Sequence, residues 1–281
     1  MTIFVSTDWL MKHGGSADLA IVDGSWHLPP TGRNARAEYE AAHIPGAVFF
    51  DIDTIADTSS GLPHMLPSPK AFAEAAGAMG ITENTPIVVY DQTGLFSAPR
   101  VRWMFRVFGA KHVMLLEGGL PKWIAEKRPV SNEVTARRVA TFTPNFDSAM
   151  VMATKQVKAA LETGSAQVVD ARPADRFRGE APEPRPGVRA GHMPGSLNLP
   201  FPTLVKDGIM APPAALTAAF AAAGVDPDKP VITSCGSGVS AAIVSLALEL
   251  TGKPSAPIYD GSWAEWGSRK DTEIETGPGK G

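Results

Sequence analysis

The chain has 281 residues, 44% of them apolar and 20% charged, with a net charge of -3. That length favours two soluble globular domains, and the near-neutral balance excludes a basic surface built for nucleic acid or an anionic membrane. No apolar run approaches the roughly 18–20 residues that span a bilayer, and "MTIFVSTDWLMKHGG" lacks the charged and apolar regions of a secretory signal. The single cysteine, Cys235, cannot form an intramolecular disulfide. One thiol also falls short of the several Cys or His of a zinc site. A reducing cytoplasm is the expected compartment, and neither metal nor cofactor is expected.

In chain order, "LAIVDGSW" and "TPIVVYD" read as buried strands. Between them "SPKAFAEAAGAMG" reads as a helix, with a serine cap, an early proline and a glycine beyond its end. The segment from about Pro129 to Ala149 is irregular and reads as a linker. Beyond it, "AQVVDAR", "PVITSC" and "APIYDG" are strand candidates, while "PPAALTAAFAAAG" and "GVSAAIVSLALELTG" are helices ending in glycine. Alternating strands and helices imply a parallel sheet with helices on both faces.

The chain also repeats itself. "HIPGAVFF" at 43–50 recurs as "HMPGSLNL" at 192–199, and "EGGLPKW" at 117–123 recurs as "DGSWAEW" at 260–266. A tandem α/β duplication follows, with domains expected at 1–140 and 150–281. His43 and His192 fall in equivalent "H-x-P-G" turns of both halves. A role shared by both halves reads as structural.

Cys235 lies where an apolar strand meets a helix, in "CGSGVSA". Ligands of open parallel sheets bind beyond the carboxyl ends of the strands. The first amides of a helix have no partner within it, and with the macrodipole they favour an anion. Gly236 and Gly238 let backbone N–H groups converge on one point. Such a loop stabilises a thiolate, or an anion carried on its sulfur. The plain alternative is a buried structural cysteine, since free Cys is often buried. A cysteine phosphatase would need arginine six positions on, where Ala241 stands. "GSGVSA" also fits a dinucleotide fingerprint, with Asp260 about twenty residues on. However, the 21 residues after Asp260 are too few for a further βαβ unit of about 30.

"CGSGVSA" resembles the active-site loop of the rhodanese superfamily, and in particular of its 3-mercaptopyruvate sulfurtransferases. "SWHLP", "HIPGAVFFDID", "HMLP", "SAPRVRWMFRVFG", "LEGGLPKW", "RFRGEAPEPRPG", "GHMPGSLNLPF" and "YDGSWAEWG" are similar to motifs of that family in the same order. The resemblance covers nearly the whole chain and implies two tandem rhodanese-like domains. It also implies transfer of a sulfane sulfur from 3-mercaptopyruvate, through a Cys235 persulfide, to a thiophile: cyanide, a small thiol or a thioredoxin-type protein.

The persulfide would be held by amides of Gly236, Ser237, Gly238, Val239 and Ser240. Arg176 and Arg185 match the positions that bind the donor carboxyl and keto oxygens in the family. Their planar forks suit carboxylates, although Arg178 and Arg189 lie nearby. Asp53, His64 and Ser237 match a relay proposed for that branch, in which serine moves a proton between substrate thiol and pyruvate enolate. Thiosulfate-using relatives carry cations after the cysteine, whereas Gly236 and Ser237 are neutral. That pattern favours mercaptopyruvate over a thiosulfate-preferring enzyme. Asp91 stands where Cys235 stands in the other half, so the first half is expected to be catalytically silent, lending Asp53 and His64 to the site. A non-catalytic binding or redox-sensing module is the remaining alternative, and the intact cysteine argues against it.

Overall fold

The computed structural model describes residues 2–279. The chain divides into two compact units. The first comprises Met1–Asp57, Leu66–Asp147 and Asp207–Ile209, and the second Thr58–Met65, Ser148–Lys206 and Met210–Gly281. The segment carrying His64 thus packs with the second unit, although it comes from the first half of the sequence.

Five parallel strands form the sheet of the first unit: β1 (Phe4–Val5), β2 (Ala20–Asp23), β3 (Ala47–Phe49), β4 (Ile87–Tyr90) and β5 (Val113–Leu116), in the order β1-β5-β4-β2-β3. The second unit uses β6 (Val151–Met152), β7 (Gln167–Asp170), β8 (Leu197–Asn198), β11 (Val231–Ser234) and β12 (Ile258–Tyr259). Their order is β6-β12-β11-β7-β8, and the short strands β9 (Val205–Lys206) and β10 (Ile209–Met210) pair separately. Position by position the two orders are the same, so the duplication seen in sequence is a duplication of topology. Helices cover both faces of each sheet.

The long strands lie where the apolar runs place them. β2, β4 and β11 are buried at every residue, as expected of parallel strands covered on both faces. The edge strands of two or three residues had no comparable apolar signal. The helix Pro69–Ala78 begins at Ser68, whose side chain accepts from the Ala71 amide at 3.2 Å. Its Phe72 is fully buried against Phe50, Phe105, Phe108 and Phe142. A Phe72→Ala change would cost about 3–5 kcal/mol. The helices Pro213–Ala222 and Ala241–Leu250 stand where the alanine-rich runs predict. No regular element lies between Ala125 and Ser148, where the linker is expected. The two turn histidines are built alike: each Nδ1 lies within hydrogen-bond distance of a carbonyl (Tyr39 and Phe177), and each ring stacks on the aromatic side chain of that residue.

Candidate active site

β11 is the central strand of the second sheet, and Cys235 follows its last residue. The thiol is 2% exposed. Gly238 in the loop adopts φ +76, an angle that L side chains resist. The helix Ala241–Leu250 then begins from Ser240 without a side-chain cap. No side chain of the cap residue therefore competes for the first helix amides. Ser237, Val239 and Ser240 are all buried around the turn.

The loop is pinned from outside. The Cys235 amide donates to Ser262 Oγ at 3.2 Å, the Cys235 carbonyl accepts from the Trp263 amide at 2.9 Å, and the Gly236 carbonyl accepts from the Ala264 amide at 2.9 Å. All three partners belong to the short helix Ser262–Trp266 after β12.

An alternating chain of charges leads from the sheet to this loop. Asp170 ends β7 and accepts from Arg172 Nε at 2.9 Å and Nη2 at 2.7 Å. Arg172 Nη1 donates to Glu183 Oε1 at 2.8 Å, and its guanidinium lies 4.3 Å from the centre of the Trp263 ring. Glu183 in turn accepts from Arg176, at 2.5 Å from Nη2 and 3.3 Å from Nε. Asp170 and Arg172 are almost completely buried, and Glu183 nearly so. A buried charge is tolerated when it is paired and hydrogen-bonded, and here each charge has an opposite neighbour. The chain ends over the loop, because a Cβ added to Gly236 would lie 3.3 Å from Arg176 Nη2. Glu183 occupies the Nε–Nη2 edge of Arg176, which leaves the Nη1 end of the fork for a planar anion.

Arg185 lies in the following loop and is partly exposed. The other arginines of the region have structural tasks. Arg178 pairs with Glu180, and Arg189 donates to the carbonyls of Gly267 and Thr272. His64, with φ +59 and 4% exposure, places Nδ1 at 3.1 Å from Ser237 Oγ and 3.3 Å from the Ser237 carbonyl. The carbonyl can only accept, so a protonated Nδ1 serves it, whereas the other tautomer accepts the serine proton. Asp53 belongs to the first unit, where its Oδ2 accepts from Trp26 Nε1 at 3.1 Å. The structure therefore brings Cys235, Gly236, Ser237, His64 and Arg176 into one compact unit, and assigns Asp53 to the other. Sequence reasoning missed Glu183, Arg172 and Ser262. The signals that could have found them are the acid between two expected arginines, the "DAR" at a strand end, and the serine that replaces Gly119 in the repeat.

In the first unit the loop after β4 is filled by its own side chain. Asp91 Oδ2 accepts from the amides of Phe96, Ser97 and Ala98 at 2.7, 3.0 and 2.9 Å, and Oδ1 accepts from Thr93 N and Oγ1 at 2.9 and 2.7 Å.

Comparison with known proteins agrees with this geometry. The rhodanese-like domain family matches residues 6–126 and 153–269. The chain is 44% identical to the 3-mercaptopyruvate sulfurtransferase of Escherichia coli K12 over 98% of both sequences. It is 46% identical to the human 3-mercaptopyruvate sulfurtransferase over 99% of this chain and 96% of that protein. A crystal structure of an Escherichia coli 3-mercaptopyruvate sulfotransferase superposes with a TM-score of 0.87 at 42% identity, covering 94% of this chain and 99% of that one. The chain belongs to the rhodanese family, as a tandem-domain member alongside the 3-mercaptopyruvate sulfurtransferases.

Proposed function

We infer that this protein is a 3-mercaptopyruvate sulfurtransferase working through Cys235. The observation that carries the reading is a lone cysteine at the carboxyl end of the central strand, in an uncapped glycine loop with an arginine fork over it. The Cys235 thiolate attacks the sulfur of 3-mercaptopyruvate. An S–S bond forms, the C–S bond breaks, and its electron pair passes to the methylene carbon as the pyruvate enolate. The proton of the donor thiol moves to that carbon, giving pyruvate and an anionic persulfide. Ser237, within reach of His64, is suited to carry that proton, and Asp53 would complete the relay. Amides of residues 236–240 hold the persulfide, while Arg176 and Arg185 clamp the donor carboxylate and keto oxygen. A thiophile then attacks the outer sulfur and restores the Cys235 thiolate. Cyanide, a small thiol or a reduced thioredoxin-type protein fits that role.

A reducing compartment such as the cytoplasm suits an enzyme whose one thiol must stay free. Among the described residues no helix is long and apolar enough to cross a membrane. The deciding experiment is steady-state kinetics with 3-mercaptopyruvate and with thiosulfate, using cyanide as acceptor. A higher kcat/KM for mercaptopyruvate is expected. A clear preference for thiosulfate would overturn the choice of donor.

A further inference from the structure

We propose that Ser262 is a positioning residue for the Cys235 nucleophile, holding its peptide through the side-chain hydroxyl. Ser262 is completely buried and adopts φ +49. That left-handed conformation is unfavourable for a residue with a Cβ, and such strain persists where the surroundings over-determine it. The Ser262 hydroxyl donates to the Tyr259 carbonyl at 2.8 Å, which turns its lone pairs toward the Cys235 amide at 3.2 Å. With Trp263 N on the Cys235 carbonyl and Ala264 N on the Gly236 carbonyl, both peptide groups of the nucleophile are held from one short segment.

The repeat supplies an internal control. Gly119 takes the place of Ser262 in the silent half and has nearly the same angle, φ +53. The next residue keeps the common bond, Leu120 N to the Asp91 carbonyl at 3.0 Å. No hydroxyl is present there, and Pro121, which has no N–H, stands where Ala264 donates. A Cβ on Gly119 would lie 2.5 Å from the Asp91 carbonyl oxygen. The silent half therefore uses the residue suited to this angle, whereas the half with the thiol accepts strain and gains one hydrogen bond to the nucleophile. Catalysis is the process that rewards this bond, since a displacement of about 1 Å at a reacting atom can cost ~100-fold in rate.

The proposal rests on the reading of Cys235 as nucleophile, so its test includes a readout that needs no sulfur donor. Ser262→Gly removes the hydroxyl and the strain together, and Ser262→Ala removes the hydroxyl alone. For Ser262→Gly the melting temperature is expected to stay within about 3 °C of the parent, because strain relief offsets the lost bond. Its kcat with 3-mercaptopyruvate should fall roughly tenfold with KM within about twofold, and iodoacetamide should alkylate Cys235 at a rate changed severalfold. Ser262→Ala should show the same kcat loss at a lower melting temperature. Parent-like kcat and alkylation in Ser262→Gly would overturn the proposal, as would a kcat loss that only follows a loss of folded protein. If the parent transfers no sulfur from either donor while its alkylation still differs from that of Ser262→Gly, the functional reading fails and the positioning role stands.

Discussion

After β4 the chain places Asp91, and after β11 it places Cys235, at the same point of the same topology. Around Asp91 the loop closes on its own carboxylate, which takes the amides of Phe96, Ser97 and Ala98 leading into the helix and both donors of Thr93. Around Cys235 the thiol stands in place of that carboxylate, and the loop is tied through its backbone to Ser262, Trp263 and Ala264. The aspartate loop is also one residue longer, with five residues before its helix cap at Ser97 against four before Ser240. The comparison shows a strand–loop–helix junction whose anion position the first half fills with its own carboxylate; under the function proposed above, the second half keeps that position for a transient sulfur anion.

The most drastic way to test the comparison is to make the second loop like the first. Cys235→Asp, and the milder Cys235→Ser, should abolish sulfur transfer and leave a folded protein. Intact mass after donor treatment should show one added sulfur, about 32 Da, on the parent and none on either variant. A parent that turns over under rapid quench without ever carrying the extra mass would sink the persulfide.

Opening the first loop should cost stability and not activity. Asp91→Ala would leave the buried amides of Ser97 and Ala98 and the partly buried amide of Phe96 without their acceptor, at about 1–3 kcal/mol for each buried group left unmet. We expect a loss of roughly 3–5 kcal/mol in urea unfolding, with sulfur transfer per folded molecule unchanged. A neutral Asp91→Ala would mean that water or rearrangement serves those amides equally well.

How much of this could be read without coordinates differs by feature. The strands β2, β4, β7 and β11 carry apolar runs, and the helices end before a glycine, one of them with a serine cap at its start, so local chemistry dictates them. Cys235 announces itself because a lone thiol follows a strand and precedes glycines. The filling of the Asp91 loop was not legible, since a carboxylate at a strand end reads equally well as an ordinary turn residue. Ser262 was hidden for a different reason: its meaning lies in a backbone angle, which the letters show only when the two halves are aligned and serine stands where glycine should. Glu183 was hidden by its neighbours, because two expected arginines drew the argument to the donor and away from what aims them.

A smaller effect is expected at the arginine fork. Arg176→Ala should lower kcat/KM for 3-mercaptopyruvate by about 2–4 kcal/mol of transition-state binding, and thiosulfate turnover by less. Equal losses with both donors would mean that Arg176 holds the fold. The same geometry bears on the neutral loop. A side chain at 236 starts 3.3 Å from Arg176 Nη2, so Gly236→Arg combined with Ser237→Lys adds cations beside the sulfur and crowds the fork. Preference should then move toward thiosulfate, and a double variant that still prefers mercaptopyruvate would remove loop charge from the account of donor choice.

The smallest expected effect contrasts two aspartates that end equivalent strands. Asp170 has Arg172 bound across its carboxylate. Asp23 is completely buried with no arginine; Oδ1 accepts from the Ser25 amide at 2.9 Å, and Oδ2 makes no hydrogen bond. Burial pushes the Asp23 carboxyl from 3.8 up to about 6. Between those values the folded protein binds more protons than the unfolded chain, so this group's contribution to stability falls as pH rises through the window. Above about pH 6 the cost is fully present, with a ceiling of ~3 kcal/mol, since each tenfold change in proton affinity is worth about 1.4 kcal/mol. Asp23→Asn should therefore stabilise the protein by about 2 kcal/mol at pH 8, since the amide does not meet every need of the site. The gain should fade toward pH 4, where the parent carboxyl is itself protonated in the fold. The same change at Asp170 should act in the opposite direction, stripping Arg172 of a buried partner. Urea unfolding of the three proteins at both pH values reads the difference, and a gain for Asp23→Asn that is equal at pH 4 and pH 8 would show that packing, and not the buried charge, separates the two strands' ends.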